Sequence, residues 1–480
     1  MRVRTRFAPS PTGYMHIGNL RTAIFAYLLA KKYDGDFILR IEDTDASRKV
    51  EGAIEFIYDT LKICGFEIDE GPMNDKGYGP YIQSERKALY EKYAEKLVEI
   101  DKAYYCFCSE EELSSMREKA EKRGKPFLYD GRCMHLGAEK IKENLANNMP
   151  YVIRQKMPKV GQTIIEDEIY GKIKIDNSIL DDQILLKSDK MPTYNFANVV
   201  DDHLMEITHV IRGKEYLDQT AKYNLLYEAF GWDKPKYIHV AMVLGEDGSK
   251  LSKRNGDASF MDLYDEGYMP EAIVNYLSLL GWSPEENREI FSMDELIKNF
   301  NEKRISKSSS QYDLKKLKWF NHHYIENLSD EDYLNWVKKY FTYDVQGKSD
   351  KWLDTLLLVY KTHISYGKEI NEVVKEVLEL PGEKDAEIKE FMSSDASIKN
   401  TISIFKEEIE KTENWEVESL KEVINNVKEK AAVKGKMLYM PLRIVASGRM
   451  HGPDLPEVLY LIGKDKVLER ISSEESNMEY

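Results

Sequence analysis

The sequence predicts an α/β N-terminal half, built on a parallel sheet, followed by an all-α C-terminal half. Three observations carry that prediction. The first 45 residues read as strand, loop, helix, strand, the pattern of a βαβ unit with a right-handed crossover. Beyond about residue 325, apolar residues recur at helical spacing, as at Leu420, Val423, Ile424 and Val427, while strand-like alternation is scarce. The length of 480 residues, 42% of them hydrophobic, supplies several cores and, at roughly 100–200 residues each, about two to four domains.

The elements follow in order. Arg2 to Phe7 alternates basic or polar residues with apolar ones and suits a strand. Ala8-Pro9-Ser10-Pro11-Thr12-Gly13 can be neither helix nor ladder, because its prolines lack donors and fix φ. Leu20, Ala23, Ile24, Tyr27 and Leu28 then form the stripe of an amphipathic helix, which Asp34-Gly35 stops. Phe37 to Ile41 is a short buried strand ending in Glu42-Asp43-Thr44-Asp45. Gln83-Ser84-Glu85-Arg86 opens a helix with Leu89, Tyr93 and Leu97 on its apolar side. From there to about residue 190 the chain reads as an insertion, after which the sheet is expected to resume with Val199 and Ile207–Ile211. Ile471 to Tyr480 is polar and expected to fray.

The composition narrows the setting. With mean hydropathy −0.54 and no run approaching the ~18–20 apolar residues of a membrane span, a soluble, unsecreted protein is expected. Four cysteines in such a length make no disulfide framework, and Cys64 reads as a small buried hydrophobe. The net charge of −15 argues at first against a nucleic-acid partner. Local patches decide binding, however, and Lys250–Arg254 and Lys315-Lys316 with Lys318 are dense in positive charge.

In a βαβ unit a ligand sits at the carboxyl ends of the strands, where a helix N-terminus offers free N–H groups to an anion. Gly13 and Gly18 let the backbone approach a base or phosphate, His16 can donate to a phosphate oxygen, and Glu42 can hold an ammonium group. An ordinary βα turn with an incidental histidine accounts for the same residues.

Pro9-Ser10-Pro11-Thr12-Gly13-Tyr14-Met15-His16-Ile17-Gly18-Asn19 resembles the "HIGH" region of class I aminoacyl-tRNA synthetases, in the form found in glutamyl-tRNA synthetases. Gly248-Ser249-Lys250-Leu251-Ser252-Lys253-Arg254 resembles their "KMSKS" loop, and lies in the right order. Asn19 stands where the second histidine would be and Arg254 where the final serine would be. The resemblance implies a Rossmann-like catalytic domain and ATP with Mg²⁺, with His16, Lys250 and Lys253 as catalytic residues. Pro11, Gly13, His16, Gly18, Asn19, Lys250 and Lys253 would bind ATP. Segments around Arg6, Tyr194 and Arg212 resemble the glutamate pocket, so Arg6, Ala8, Ser10, Tyr194, Asn198 and Arg212 would line it and Glu42 would meet the substrate's amino group. Arg212 is the choice for the side-chain carboxylate, since its fork suits a bidentate pair.

The implied domains are a catalytic domain in two halves (1–80 and 191–255) around an acceptor-stem insertion (81–190). A helical stem-contact part (256–325) and an anticodon-binding part (326–480) follow. The implied partners are glutamate and tRNA(Glu), with tRNA(Gln) left open, and the implied setting is a cytoplasmic monomer. A small nucleotidyltransferase with a similar histidine motif, a truncated paralogue and a non-catalytic derivative are the rival readings.

Cys106-Phe107-Cys108 is followed, after 24 residues (133 − 108 − 1), by Cys133-Met134-His135. Two close pairs joined by a loop can close a tetrahedral Zn²⁺ site, and this spacing resembles the zinc-binding insertion of some glutamyl-tRNA synthetases. The expected ligands are Cys106, Cys108, Cys133 and His135, with Tyr129 near enough in sequence to compete and free thiols as the alternative. Such a zinc would be structural.

Overall fold

The strand β1 (Arg4–Phe7) runs parallel to β2 (Asp36–Leu39), pairing Arg4 with Asp36 and Phe7 with Leu39, and α1 (Ile17–Lys32) forms the crossover between them. All four residues of β1 are buried, although alternation would expose its arginines. A parallel sheet is covered on both faces, so these arginines must be paired where they stand. Arg4 meets Asp36 at 2.9 Å and Glu70 at 2.6 Å, and Arg6 meets Asp202 at 3.1 Å.

The computed structural model describes the chain apart from Met1, Tyr14, 46–49, Lys125, Lys250, 252–258, 382–385 and 479–480. It divides into two compact units: residues up to Leu263 with Pro270–Leu314, and Tyr264–Met269 with Lys315 onward.

In the first unit, α1 is not the one-faced amphipathic helix its stripe suggested. Every residue from Ala23 to Ala30 is buried. The sheet covers one side, and the rings of Phe25 and Phe300 meet at 5.6 Å on another. After α2 (Ala53–Ile63), a helix α3 (Lys87–Glu99) turns Tyr90, Ala94 and Leu97 inward, while Leu89 and Tyr93 are half-buried. Cys64, at the end of α2, is buried and its thiol pushed up by that burial, as expected of a small hydrophobe.

The insertion carries β3 (Ala103–Cys106), α4 (Glu110–Lys122), α5 (Ala138–Ala146), β4 (Val152–Gln155), the hairpin β5 (Gln162–Asp167) and β6 (Gly171–Asp176), and β7 (Ile184–Leu186). Strands β3, β4 and β7 form an antiparallel sheet, while β5 joins the parallel one. Val199 does not resume that sheet. Phe196, Ala197, Val199 and Val200 face inward from α6 (Tyr194–Leu204), and two apolar pairs three residues apart are helical spacing, which a short apolar stretch broken only by Asn198 can mimic as strand. The Ile207–Ile211 segment does lead into a strand, β8 (His209–Gly213), the edge of a separate sheet that meets the β1–β2 pair through the Thr208 N–H, which donates to the Arg4 carbonyl at 3.0 Å. Past α7 (Thr220–Phe230), β9 (Lys236–Val240) lies parallel to β8, with Arg212 opposite His239. The chain then passes through β10 (Val243–Leu244), α8 (Phe260–Glu266), α9 (Pro270–Leu279), α10 (Met293–Asn299) and β11 (Ser310–Gln311).

The second unit is helical among its described residues. Leu420, Val423, Ile424 and Val427 are all buried on the helix Val417–Ala431, as their spacing predicts. They share a core with Ile398, Ile402, Phe405 and Ile409 of the helix Ser397–Lys411. The tail is not frayed from Ile471: a helix runs over Lys464–Met478, and Val467 and Ile471, one turn apart, are both buried in the core. Two anchoring apolar groups suffice to hold a polar helix that composition alone reads as loose.

Candidate active site and sulfur cluster

The prolines and Gly13 carry the chain from β1 to α1, and Gly13 adopts φ +111°, which residues with a Cβ rarely enter. His16 then caps α1: its Nδ1 accepts the Gly18 N–H at 3.1 Å. That bond leaves the ring hydrogen of a neutral His16 on Nε2, as a donor. Helix N–H groups and the positive end of the dipole lie beside it, an arrangement suited to phosphate.

A cavity of about 390 Å³ opens here. Its wall brings together Arg6, Ala8, Ser10, His16, Gly18, Asn19, Glu42, Tyr194 and Arg212, residues from four separate stretches of sequence. Three predicted residues stand back from it. Pro11 is buried and its carbonyl accepts the Val50 N–H; Gly13 shapes the turn; Asn198 donates to the Tyr194 carbonyl at 3.0 Å, one helical turn behind. Lys250 and Lys253 lie outside the described residues, though Leu251 between them lines the cavity. A larger cavity, about 1140 Å³, opens between β5 and α7 and contains none of the predicted residues.

The charges of the wall are set from behind. Arg40, fully buried, donates to Glu42 at 3.1 Å and to Asp202 at 2.8 Å, and Asp202 also holds Arg6. Gln83 and Arg86 both bind Asp201, which lies beside Arg40. Burial pushes the Glu42 carboxyl up, the Arg40 and Arg6 charges draw it part of the way back, and it settles at about 7.

Arg212 is handled differently. Its Nε donates to His239 Nε2 at 3.1 Å and its Nη2 to the Thr220 hydroxyl at 2.8 Å. The rings of Tyr223, Tyr237 and Tyr216 surround the guanidinium at 4.6, 5.5 and 5.8 Å. Behind it, His239 Nδ1 bonds Asp167 at 2.7 Å, so the ring donates to the acid and accepts from the arginine. Burial lowers the His239 pKa against the opposing bond to Asp167, and the Arg212 charge lowers it further; an Nε2 that accepts from Arg212 belongs to a neutral ring. Among the described residues no carboxylate forms a salt bridge with Arg212, a buried cation on a cavity wall. Such a charge is costly without an anion, and aromatic faces offset only part of that cost.

His239, Asp167, Thr220, Arg40 and Asp202 escaped sequence reasoning. Arg40 had a local signal, two residues before Glu42. The others act through partners far away in sequence, and only the folded register of β8 against β9 brings His239 to Arg212.

In the insertion, Cys106, Cys108 and Cys133 bring their sulfurs within 4.8 Å of one another. Tyr129, not His135, completes the group. The Tyr129 hydroxyl lies 3.3 Å from both Cys106 and Cys108 Sγ, whereas His135 is exposed and outside the cluster. The short helix Arg132–His135 buries Cys133 and leaves His135 facing outward. Hydrogen bonding from Cys133 holds the Cys106 thiol below its ordinary range, while Cys108, Cys133 and Tyr129 are pushed up, so a single negative charge is shared by the group. Three convergent sulfurs could supply three of the four donors of a tetrahedral Zn²⁺ site, with the Tyr129 hydroxyl standing nearest the fourth position.

A nucleotide-type cradle at a βαβ crossover, a cavity with two arginines facing a buried glutamate, and an all-helical second unit define a class I aminoacyl-tRNA synthetase. Residues 2–319 match the family of tRNA synthetases class I (E and Q), catalytic domain, and residues 331–473 match the anticodon binding domain; the chain belongs to that family. The glutamate–tRNA ligase of Clostridium botulinum is 50% identical over 475 residues, covering 98% of this chain and 97% of its own length. That of Clostridium tetani is 48% identical over 476 residues, covering 98% and 96%. The crystal structure of the glutamate–tRNA synthetase from Elizabethkingia anophelis superimposes with TM-score 0.90 at 38% identity, covering 99% of this chain and 100% of that one. A glutamate–tRNA ligase from Elizabethkingia meningosepticum, solved in complex with its amino acid, gives 0.89 at 38% identity, covering 99% of both. The match to the helical unit sets aside the truncated paralogue. Among the described residues no helix is long and apolar enough to cross a membrane.

Proposed function

We propose that this chain is a glutamate–tRNA ligase: it activates glutamate with ATP to glutamyl-adenylate and transfers it to the 3′-terminal adenosine of tRNA(Glu). The observation that carries the reading is Arg212, a buried cation without a carboxylate partner among the described residues, facing a cavity that also holds Arg6 and Glu42.

Glutamate has two carboxylates and one ammonium. Its side-chain carboxylate pairs with Arg212, and its ammonium lies against Glu42. Arg6, held by Asp202, stands at the C-terminal end of β1 for the remaining carboxylate. An oxygen of that α-carboxylate attacks the α-phosphate of ATP; the bond from that phosphorus to the β-phosphate bridging oxygen breaks, and pyrophosphate leaves. Charge grows on phosphate oxygens, so the work is positioning and electrostatic stabilisation. His16 Nε2–H and the N–H groups of α1 serve this, and Lys250 and Lys253, outside the described residues, add positive charge by their resemblance to the family's loop. Mg²⁺, bound with the triphosphate, neutralises part of its charge.

Cys106, Cys108, Cys133 and Tyr129 hold one structural zinc; no donor position is left for water, and the cluster's residues are not among those of the glutamate cavity. A monomer acting in the cytoplasm completes the proposal, and size-exclusion chromatography with light scattering tests the oligomeric state.

The test is aminoacylation with radiolabelled glutamate, with tRNA(Glu) and tRNA(Gln) transcripts in parallel. Charging of tRNA(Glu) is the expected result, and the tRNA(Gln) lane defines discrimination. Folded enzyme with ATP and Mg²⁺ that charges neither overturns the reading.

A further inference from the structure

We propose that Arg21 is a positioning residue for the ATP half of the reaction, tying the helix that presents His16 to the Ala241–Val243 wall of the same cavity. This rests on the function proposed above.

Arg21 sits on α1 and lines the same cavity as His16, yet only 4% of it is exposed. One arm of its fork, Nη1, donates to the Leu280 carbonyl at 3.0 Å. The other, Nη2, donates to the Ala241 carbonyl. Its Nε has no acceptor among the described residues, and no carboxylate there forms a salt bridge with it. Burial accordingly lowers its pKa to about 10, an unusual state for arginine.

The two carbonyls belong to different elements. Leu280 follows the last residue of α9, where the helix dipole favours a cation. Ala241 is the residue after β9, at the base of the segment Val243–Leu244 that delivers the chain to the loop. That segment also pairs in parallel with Ser310–Gln311, flanked by bonds from Ser310 N–H to Met242 O at 3.3 Å and from Tyr312 N–H to Leu244 O at 2.8 Å. Space around the fork is kept open. Gly281 has φ +99°, and an added Cβ would lie 3.4 Å from both Arg21 Nη1 and Ser310 Oγ.

A purely packing role would be filled by methionine or leucine at no electrostatic cost. A planar fork that spans two carbonyls of two elements, near the start of His16's helix, holds the Ala241–Val243 wall of the cavity against that helix. It also leaves positive charge at the cavity wall. The glutamate side of the cavity, around Arg212 and Glu42, makes no hydrogen bond to Arg21. A wall displaced by about 1 Å can cost roughly a hundredfold in rate, and the loss is expected on the nucleotide side, where Arg21 and His16 share the wall.

The test uses the full-length enzyme with its tRNA, as wild type, Arg21→Lys and Arg21→Gln. Pyrophosphate exchange is measured well below each variant's melting point, so that stability and kinetics are read separately. Arg21→Lys keeps the charge but cannot bridge both carbonyls. It is expected to lower kcat/KM for ATP roughly tenfold or more while KM for glutamate stays within about twofold, with Arg21→Gln lower still. Equal losses for ATP and glutamate, or folded variants with unchanged ATP kinetics, overturn the proposal. Wild type that charges no tRNA overturns the function itself and is thereby distinguished.

Discussion

Lowering the pH through about 7 ought to weaken the capture of glutamate well before it unfolds the protein, because the group that meets the substrate's ammonium titrates there. Burial raises Glu42 from its ordinary 4.5, and the neighbouring Arg40 and Arg6 recover only part of that. Only the ionised form pairs with an ammonium. Each pH unit below about 7 therefore removes about tenfold of the competent enzyme, and kcat/KM for glutamate should fall by about that factor. The substrate's side-chain carboxylate titrates near about 4 and adds nothing in this window. The assay is aminoacylation at saturating ATP across pH, with Glu42→Gln alongside, whose rate should be low and flat. A level wild-type profile, or the same transition in Glu42→Gln, refutes the reasoning. A stability measurement checks it independently. Because the folded pKa lies above the unfolded one, the folded chain holds this proton more tightly, and stability is lost as pH rises from 4.5 to about 7. The full loss is about 3 kcal/mol. The melting-point difference between Glu42→Gln and wild type should grow in favour of the variant over that interval.

Arg212→Met removes one member of a buried ion pair with the substrate, worth about 2–5 kcal/mol, so kcat/KM for glutamate should drop roughly thirtyfold or more; an unchanged KM for glutamate would refute the assignment. Metal analysis should find about one zinc per chain, lost in Cys108→Ser, weakened in Tyr129→Phe and retained in His135→Ala. Loss in His135→Ala with retention in Tyr129→Phe would reverse the ligand set read from the structure. Leu420→Ala, at a fully buried position, should cost the helical unit about 2–5 kcal/mol in a denaturant titration; an unmoved transition would contradict the packing.

The parts of this protein legible in the sequence are those whose causes are local. Two prolines and a glycine between a short strand and an apolar stripe dictate a loop between β1 and α1, and His16 falls at the cap because the helix begins directly after it. The stripe at Leu420 to Val427 becomes a buried helix face because its neighbours repeat the same period. Cys106 and Cys108 announce a cluster because two thiols two residues apart on an extended segment can face one point, which Cys133 reaches across the intervening loop and helix. Where periodicity is ambiguous the reading failed, as at Val199, whose apolar neighbours suit strand and helix alike.

The tertiary structure decided what depends on sums over distant groups. Whether Arg6 is a free fork or a paired one is settled by Asp202, and whether Glu42 is ionised at neutral pH by its depth together with Arg40 and Arg6. That Arg212 rests on a neutral histidine and three tyrosines, and not on a carboxylate, follows from the register of β8 and β9. Tyr129 displaces His135 because the turn after Cys133 points that ring outward. Arg21 carries no motif at all; its meaning arises only when Ala241 and Leu280 arrive beside it. Sequence specifies which groups are present and where the local turns fall, whereas desolvation and charge compensation, which set what those groups can do, exist only once the chain has closed around them.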